Sequence, residues 1–84
     1  ENMNREVKPY TVWKHFKGFN AVVITVAKHS ETNEDLVVYY CFDENDKEHN
    51  NGVYARELSM FLSEVDHEKY PNIKQKYRFE EITK

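Results

Sequence analysis

The sequence predicts a small, mainly β domain with one short helix. Two runs, 20–29 and 35–42, consist largely of β-branched and aromatic residues, which favour strands. Only one segment, 56–65, has the apolar spacing of an amphipathic helix. Aromatic residues make up 14% of the 84 residues, so the chain can form a core although 32% of its residues are charged. We therefore expect a loose N-terminal leader over 1–9 and a single small β domain over 10–84.

The first three strands are indicated by their residue types. YTVWKHF (10–16) is rich in β-formers, and NAVVITVAKH (20–29) has a β-branched run that disfavours helix by restricting χ1. DLVVYYCF (35–42) is equally rich in β-formers. The last two runs flank a short polar loop in which Asn33 suits a position with positive φ, so we expect a hairpin there.

The second half of the chain predicts a loop, a short strand, a helix and a closing strand. Charged DENDKEHNNG (43–52) is expected to be an exposed, mobile loop, followed by a strand over 53–55. A helix of one to two turns is expected within 56–65, laid across the sheet, and a last strand over 76–82. The apolar stripe of the helix comprises Leu58, Phe61, Leu62 and Val65. These elements predict a small antiparallel barrel or a curled sheet of about five strands, with an SH3-like topology as the nearest architecture.

Charge and cysteine content limit the setting and the partners. A formal net charge of −3 has the wrong sign for sequence-independent nucleic-acid binding, although bases gather in 13–17 and 74–78. If these segments meet in space, they form a local basic face. Cys41 is the only cysteine, so no intrachain disulfide forms and a cytoplasmic setting is expected. No apolar stretch approaches the roughly 20 residues that span a bilayer, so no membrane partner is expected.

The stretch HSET (29–32) places a histidine beside two hydroxyls and an acid. Neighbours on a strand point to opposite faces, so His29 and Ser30 are badly placed to form a catalytic pair. In a turn, the hydroxyls of Ser30 and Thr32 instead accept backbone N–H bonds. We therefore interpret HSET as a hairpin turn and assign no catalytic residue. The four histidines are not spaced like zinc ligands and no glycine-rich phosphate loop is present, so no metal and no cofactor are expected.

Four motifs resemble those of a bacterial family known as Domain of Unknown Function 1653. They are WKHFKG (13–18), AKHSETNEDLVVY (27–39), ARELSMF (55–61) and QKYRFE (75–80), in the family's order. The resemblance implies a small, mostly β domain of bacterial or phage origin, without an established activity. By position, the family's motif residues correspond to His15, Phe16, Lys17, Gly18, His29, Ser30, Glu31, Thr32, Tyr39, Arg56, Phe61, Arg78, Phe79 and Glu80.

The sequence departs from the family pattern in three places. Asn33 replaces the usual turn glycine, which the tolerance of Asn for positive φ explains. Glu57 replaces the usual proline after Arg56. Glutamate and proline both suit the start of a helix. The loop over 43–51 is longer than the usual connection, so no role is assigned to it.

Our first hypothesis is a non-enzymatic binding module that recognises a protein segment or a small anionic ligand. We expect the HSET turn to present His29 and Glu31 near Arg56 at one end of the fold. Arg56 itself is expected to pair with an acid such as Glu80, or to bind an anion. The candidate ligand-binding residues are His29, Glu31, Tyr39, Arg56, Trp13 and His15.

Two alternatives remain open. One is a nucleic-acid-associated module in which basic side chains contact phosphates and Trp13 or Tyr77 stacks on a base. Its candidate residues are Lys14, Lys17, Lys74, Lys76 and Arg78. The other is a small hydrolase-like enzyme with His29 as general base and Arg56 stabilising negative charge.

Overall fold

The fold is a single antiparallel sheet in the computed structural model, which describes residues 5–42 and 52–82. The strands are β1 (Val12–His15), β2 (Asn20–Lys28), β3 (Asp35–Phe42), β4 (Val53–Glu57) and β5 (Phe79–Glu81), and the helix is α1 (Leu58–Phe61). The strand order is β4-β3-β2-β1-β5. The predicted mainly β class is confirmed as a curled sheet. The barrel is wrong for the described residues, because β4 and β5 are edge strands that do not pair. The SH3-like topology stays a prediction.

The hairpin predicted around HSET is confirmed. β2 and β3 pair along their whole length, with a register shift between Val23 and Thr25 that marks a bulge. The turn closes through two backbone bonds, from the His29 N–H to the Glu34 carbonyl (2.8 Å) and from the Asn33 N–H to the His29 carbonyl (2.9 Å). Asn33 has a φ of 65°, the conformation that its residue type predicts.

The core lies on one face of the sheet, beneath α1. Phe61 of the helix stacks on Phe79 of β5, with ring centroids 4.1 Å apart, and Trp13 meets Phe61 edge to face at 5.3 Å. Trp13 is only 1% exposed, and its indole N–H donates to the Thr11 hydroxyl at 2.8 Å. Such large rings supply much of the buried area that a chain of this size needs. Trp13, a candidate ligand-binding residue, is therefore part of the core.

The predicted short helix is confirmed as a single turn, Leu58–Phe61, but the predicted bounds, 56–65, are wrong at both ends. Arg56 belongs to β4, and the chain after Leu62 becomes extended. There the Ser63 carbonyl accepts the Arg78 N–H at 2.8 Å, and the Val65 N–H donates to the Lys76 carbonyl at 2.9 Å. Val65 is still buried, as the apolar spacing requires, but a strand-like pairing rather than a third helical turn delivers it to the core.

The N-terminal segment approaches β5 through Arg5. Its guanidinium lies 3.9 Å from the centroid of the Tyr77 ring and 5.6 Å from that of Trp13, and it donates to the backbone carbonyls of Leu62 and Phe79. The division into a leader over 1–9 and a domain over 10–84 stays a prediction. The predicted loop over 43–52 lies almost wholly outside the described residues. None of the described helices is long and apolar enough to cross a membrane.

Candidate functional site

A cleft of about 380 Å³ gathers three of the basic side chains that the sequence singled out, Lys17, Arg56 and Arg78. We call it the basic cleft. Its lining comes from the end of β1 and the turn after it, from β4, and from the chain that precedes β5. The lining residues are His15, Phe16, Lys17, Phe19, Arg56, Asp66, Lys69, Tyr70 and Arg78. Segments far apart in sequence therefore meet at one place.

Two arginines in the cleft are anchored through their inner nitrogen atom. Arg56 stands opposite Val37 in the β3–β4 register, and its Nε donates to the Tyr39 hydroxyl at 3.3 Å. The Nε of Arg78 donates to the Ser63 hydroxyl at 3.2 Å. Among the described residues, the outer Nη atoms of both arginines donate no hydrogen bond, and neither guanidinium forms an ion pair. Each presents the two-pronged edge that matches a carboxylate or phosphate.

The expected pairing of Arg56 with Glu80 is wrong. One oxygen of the Glu80 carboxylate, Oε2, instead accepts the backbone N–H groups of Lys76 and Tyr77, both at 3.1 Å. Glu80 thus holds the turn before β5, while Arg56 remains on the cleft wall. The alternative expectation for Arg56, that it binds an anion, remains open.

Two lysines and one acid complete the polar lining. The Lys17 and Lys69 ammonium groups lie 5.7 and 5.5 Å from the centroid of the Tyr70 ring, at the distance of a cation–π contact. Asp66, the only carboxylate that residues 5–42 and 52–82 contribute to the lining, accepts the backbone N–H groups of Glu68 (3.1 Å) and Lys69 (3.3 Å) through Oδ1. Four cationic side chains therefore face one carboxylate that already shapes a turn.

His15 supports the turn that forms one wall. It is 5% exposed, and its ring stacks on Phe16 and Phe19, with centroids 4.6 and 4.3 Å away. Its Nδ1 accepts the Lys17 N–H at 3.1 Å, so the neutral ring carries its proton on Nε2. Gly18 has a φ of 107°, which disfavours a side chain and explains the glycine of the HFKG motif.

The two basic segments of the sequence meet in space. β1 pairs with β5 so that Lys14 lies opposite Glu80, and the Gln75 side-chain amide donates to the Lys14 carbonyl at 2.8 Å. Segments 13–17 and 74–78 are therefore neighbours. Of the candidate nucleic-acid residues, Lys17 and Arg78 line the basic cleft. The remaining candidates, Lys14, Lys74 and Lys76, are exposed outside it.

The structure separates the candidate ligand-binding residues into two groups. Arg56 and His15 line the cleft, and Tyr39 touches it through its bond to Arg56. His29 and Glu31 do not line it. The His29 Nδ1 instead accepts the backbone N–H groups of Glu31 (3.1 Å) and Thr32 (3.3 Å), which fixes the turn. The hypothesis that His29 acts as a general base beside Arg56 stays a prediction, which this geometry does not support.

Acidic residues gather beside the HSET turn. We call this region the acidic patch; it comprises Glu34, Asp35 and Glu57, which line a shallow depression with Leu58 and Ser59. A hydrogen bond with the Glu34 carboxyl, together with its negative charge, raises the pKa of Glu57. Within residues 5–42 and 52–82, no group of three or more His, Cys, Asp or Glu side chains is arranged to hold a metal ion.

Sequence reasoning missed the part of the cleft formed by residues 66–70. An acid followed by polar residues and Pro71 is typical of a capped turn, and that signal is present in DHEKYP (66–71). Segment 66–70 lies near Arg78 because the Val65 N–H donates to the Lys76 carbonyl, which brings two separate parts of the chain together. No local pattern encodes that pairing.

The comparison with known proteins agrees with the resemblance carried by the motifs. A family model described as "Protein of unknown function (DUF1653)" matches residues 11–81. No curated protein and no solved structure gave a significant match. The motif residues Lys17, Arg56 and Arg78, which come from separate parts of the sequence, all line the basic cleft. Because the family model covers nearly the whole folded region, the chain belongs to the DUF1653 family.

Proposed function

We propose that this domain is a non-enzymatic binding module whose basic cleft binds a small anionic ligand. In this proposal the guanidinium groups of Arg56 and Arg78 hold a phosphate or carboxylate, with Lys17 and Lys69 adding positive charge. One observation supports it most directly. Both guanidinium groups are anchored at Nε, and among the described residues neither has a carboxylate partner. Arginine with a carboxylate or phosphate forms strong paired hydrogen bonds in this geometry.

The anchoring also favours binding on entropic grounds. A free arginine side chain loses rotamer freedom when it is immobilised by a ligand, at a cost of about 0.5–1.5 kcal/mol. The bonds to the Tyr39 and Ser63 hydroxyls restrict the two side chains before any ligand arrives. A cleft of about 380 Å³ lies within the size range of small-molecule sites. These features favour a small anion over an extended protein segment.

A nucleic-acid-associated module is the second candidate, and a different observation favours it. Segments 13–17 and 74–78 lie side by side, so Lys14 and Lys76 extend the positive charge beyond the cleft. Binding that depends on several phosphates weakens steeply as the salt concentration rises. If the affinity for a short single-stranded oligonucleotide falls by orders of magnitude between about 50 and 200 mM salt, that result favours this candidate.

The proposed function is tested by titrating the domain with inorganic phosphate at constant ionic strength, followed by amide NMR shifts. We expect shifts at the cleft residues and a loss of affinity of about tenfold or more in Arg78→Ala and in Arg56→Ala, since hydrogen bonds to charged groups contribute about 1.5–3 kcal/mol. Arg56→Lys and Arg78→Lys keep the charge but lose the fork, and should also bind more weakly.

Lys28→Ala is the matched control. Lys28 is a basic side chain outside the cleft, paired with Asp35 at 2.8 Å, and its removal should leave phosphate affinity unchanged. An unchanged affinity in the arginine variants, or shifts that do not cluster at the cleft, would contradict the proposal.

A further inference from the structure

We infer that the ligand of the basic cleft is a phosphorylated nucleoside, with its phosphate on Arg56 and Arg78 and its base against Phe16 and Tyr70. This inference rests on the proposed function and names the chemical class of the anion. The same chemistry occurs in a free mononucleotide and at the phosphorylated end of a single-stranded nucleic acid. The aromatic side chains that line the cleft, which a bare anion does not use, favour this class of ligand.

The lining of the cleft combines two chemistries, which we call its two walls. The first is the pair of guanidinium groups of Arg56 and Arg78, and the second is the pair of rings of Phe16 and Tyr70, all of which line the cleft. Phe16 and Tyr70 meet edge to face with centroids 5.0 Å apart, and both side chains are only half-buried. An inorganic anion or a sugar phosphate contacts the first wall and leaves the rings in water. A ligand with a flat apolar part gains the second wall as well.

Backbone hydrogen bonds hold the residues of the two walls close together. The Phe16 N–H donates to the Arg78 carbonyl at 3.0 Å, so the first aromatic residue and the second arginine are neighbours across the β1–β5 pairing. Tyr70 is held by its N–H bond to the Asp66 carbonyl at 2.9 Å, within the turn that the Asp66 carboxylate caps. The backbone of both walls is therefore held in place before a ligand arrives, which lowers the cost of ordering it on binding.

The lysines favour a base over a purely hydrocarbon ring. The Lys17 and Lys69 ammonium groups lie over the Tyr70 ring, 5.7 and 5.5 Å from its centroid, so a base that stacks on this ring takes the place of an ammonium group, which then lies near the edge of the base. A nucleobase carries carbonyl oxygens and ring nitrogens at its edge, which accept such hydrogen bonds. It also presents a π face to an aromatic side chain, and stacking of this kind contributes about 1–3 kcal/mol per base. A phosphorylated nucleoside therefore matches both walls and the flanking lysines.

The test compares ligands that differ by one part at a time, by calorimetric titration of the whole chain. The ligands are the four ribonucleoside 5′-monophosphates, ribose 5-phosphate, inorganic phosphate, adenosine and a 5′-phosphorylated dinucleotide. We expect at least one monophosphate to bind about tenfold more tightly than ribose 5-phosphate, because stacking adds to the phosphate contacts. Adenosine, which lacks the phosphate, should bind more weakly than the corresponding monophosphate.

Variants of the aromatic wall isolate its part in binding. Tyr70→Ala should weaken binding of the monophosphate by a larger factor than binding of ribose 5-phosphate, and so narrow the preference between the two ligands. Tyr70→Phe keeps the ring and should keep the preference. Tyr10→Ala is the control, because Tyr10 is 83% exposed and lies outside the cleft.

The outcomes separate this inference from the proposed function. Binding of inorganic phosphate and ribose 5-phosphate, with no monophosphate binding more tightly, overturns the inference and leaves the proposed function standing. If no anion binds, the proposed function fails, and the inference fails with it. A dinucleotide that binds at least as tightly as the mononucleotide identifies a nucleic-acid end as the source, and one that binds more weakly identifies a free nucleotide; both results uphold the inference.

Discussion

The basic cleft and the acidic patch bring like charges together in two different ways. In the acidic patch and its turn, charges have partners nearby: Lys28 bonds to Asp35 at 2.8 Å, and the Thr32 hydroxyl donates to Glu34 at 3.2 Å. In the described residues, the cations of the cleft have no carboxylate partner of this kind. The two arginines of the cleft are instead oriented by hydroxyls, that of Tyr39 on Arg56 and that of Ser63 on Arg78. The difference favours our proposal that the cleft binds an anion from outside, whereas the contacts of the patch support the hairpin.

Among the variants that test this contrast, Tyr39→Phe is expected to have the largest effect, which is on phosphate affinity. It removes the hydroxyl that anchors Arg56 but keeps the ring, whose centroid lies 5.6 Å from Phe61 and 5.5 Å from Phe79 in the core. We expect phosphate affinity to fall about tenfold, which corresponds to about 1.4 kcal/mol of binding free energy. Calorimetric titration of phosphate measures the loss, and chemical denaturation checks that the fold is kept.

Tyr54→Phe is the matched control for that change. Tyr54 lies opposite Tyr39 on β4, with ring centroids 5.9 Å apart, and the two variants lose the same group. If both variants bound phosphate equally, the hydroxyl of Tyr39 would not be what positions Arg56.

The next largest effect is expected from a change at His29. It should lower the stability of the fold without changing phosphate affinity, whereas Tyr39→Phe should lower phosphate affinity and keep the fold. His29→Ala removes the acceptor of two backbone N–H groups in the HSET turn. We expect the free energy of unfolding to fall by about 1 kcal/mol, since these donors are exposed and turn to water. Phosphate affinity should not change. Urea denaturation and phosphate titration of the same samples measure both.

His29→Asn serves as the control, because an Asn side chain in a turn can accept a backbone N–H. It should recover part of the lost stability. A His29→Ala variant that lost phosphate affinity would show that the turn and the cleft are coupled. That result would contradict the view that the two charged regions have separate roles.

The fold was predictable from the sequence wherever local residue types decide the structure. β2 and β3 follow directly from β-branched runs, and Asn33 marks the positive φ of the turn between them. The helix was predicted too long because Val65 continues an apolar spacing that helices and other buried segments share. Its bond to Lys76, made across a separation of several residues, decided the outcome.

The site was predictable only as a set of residue types. Arg56, His15 and Lys17 stand out as motif residues, and the sequence associated Arg56 with anion chemistry as a hypothesis. That Lys69 and Tyr70 join them depends on how the chain from 62 to 78 folds back beside β1. That Arg56 lines the cleft and His29 does not depends on how the strands are arranged in the sheet, which no local residue pattern encodes.

A third effect, of moderate size, concerns the backbone of the same turn. Asn33 has a φ of 65°, where a residue with an ordinary Cβ is strained by about 1 kcal/mol. Asn33→Gly should therefore leave the stability unchanged or raise it, whereas Asn33→Ala should lower it by about that amount. Thermal unfolding of the two variants, measured side by side, checks the sign. Equal melting temperatures would mean that the turn relaxes to another conformation.

The smallest effect is expected from Glu57→Gln, and it depends on pH. The hydrogen bond with Glu34 and its negative charge raise the pKa of Glu57 above its ordinary value. In the window between the unfolded and the folded pKa, the native state therefore binds more protons than the unfolded state. Its stability falls as pH rises through that window and changes no further above it.

Glu57→Gln removes the charge that causes this fall. The variant should unfold at a slightly higher temperature than the parent protein at pH 7, and the difference should vanish at a pH below the ordinary value of about 4.3. Glu31→Gln is the control, because it removes a charge from the same turn without touching the bond between Glu57 and Glu34. A difference that stayed constant between pH 4 and pH 7, a range set by the ordinary carboxyl pKa of about 4.3, would show that repulsion between the two carboxylates is not its cause.

Because the acidic patch lies outside the cleft, phosphate affinity at pH 7 should be the same in all three proteins. A change there would mean that the two charged regions act on each other through the sheet.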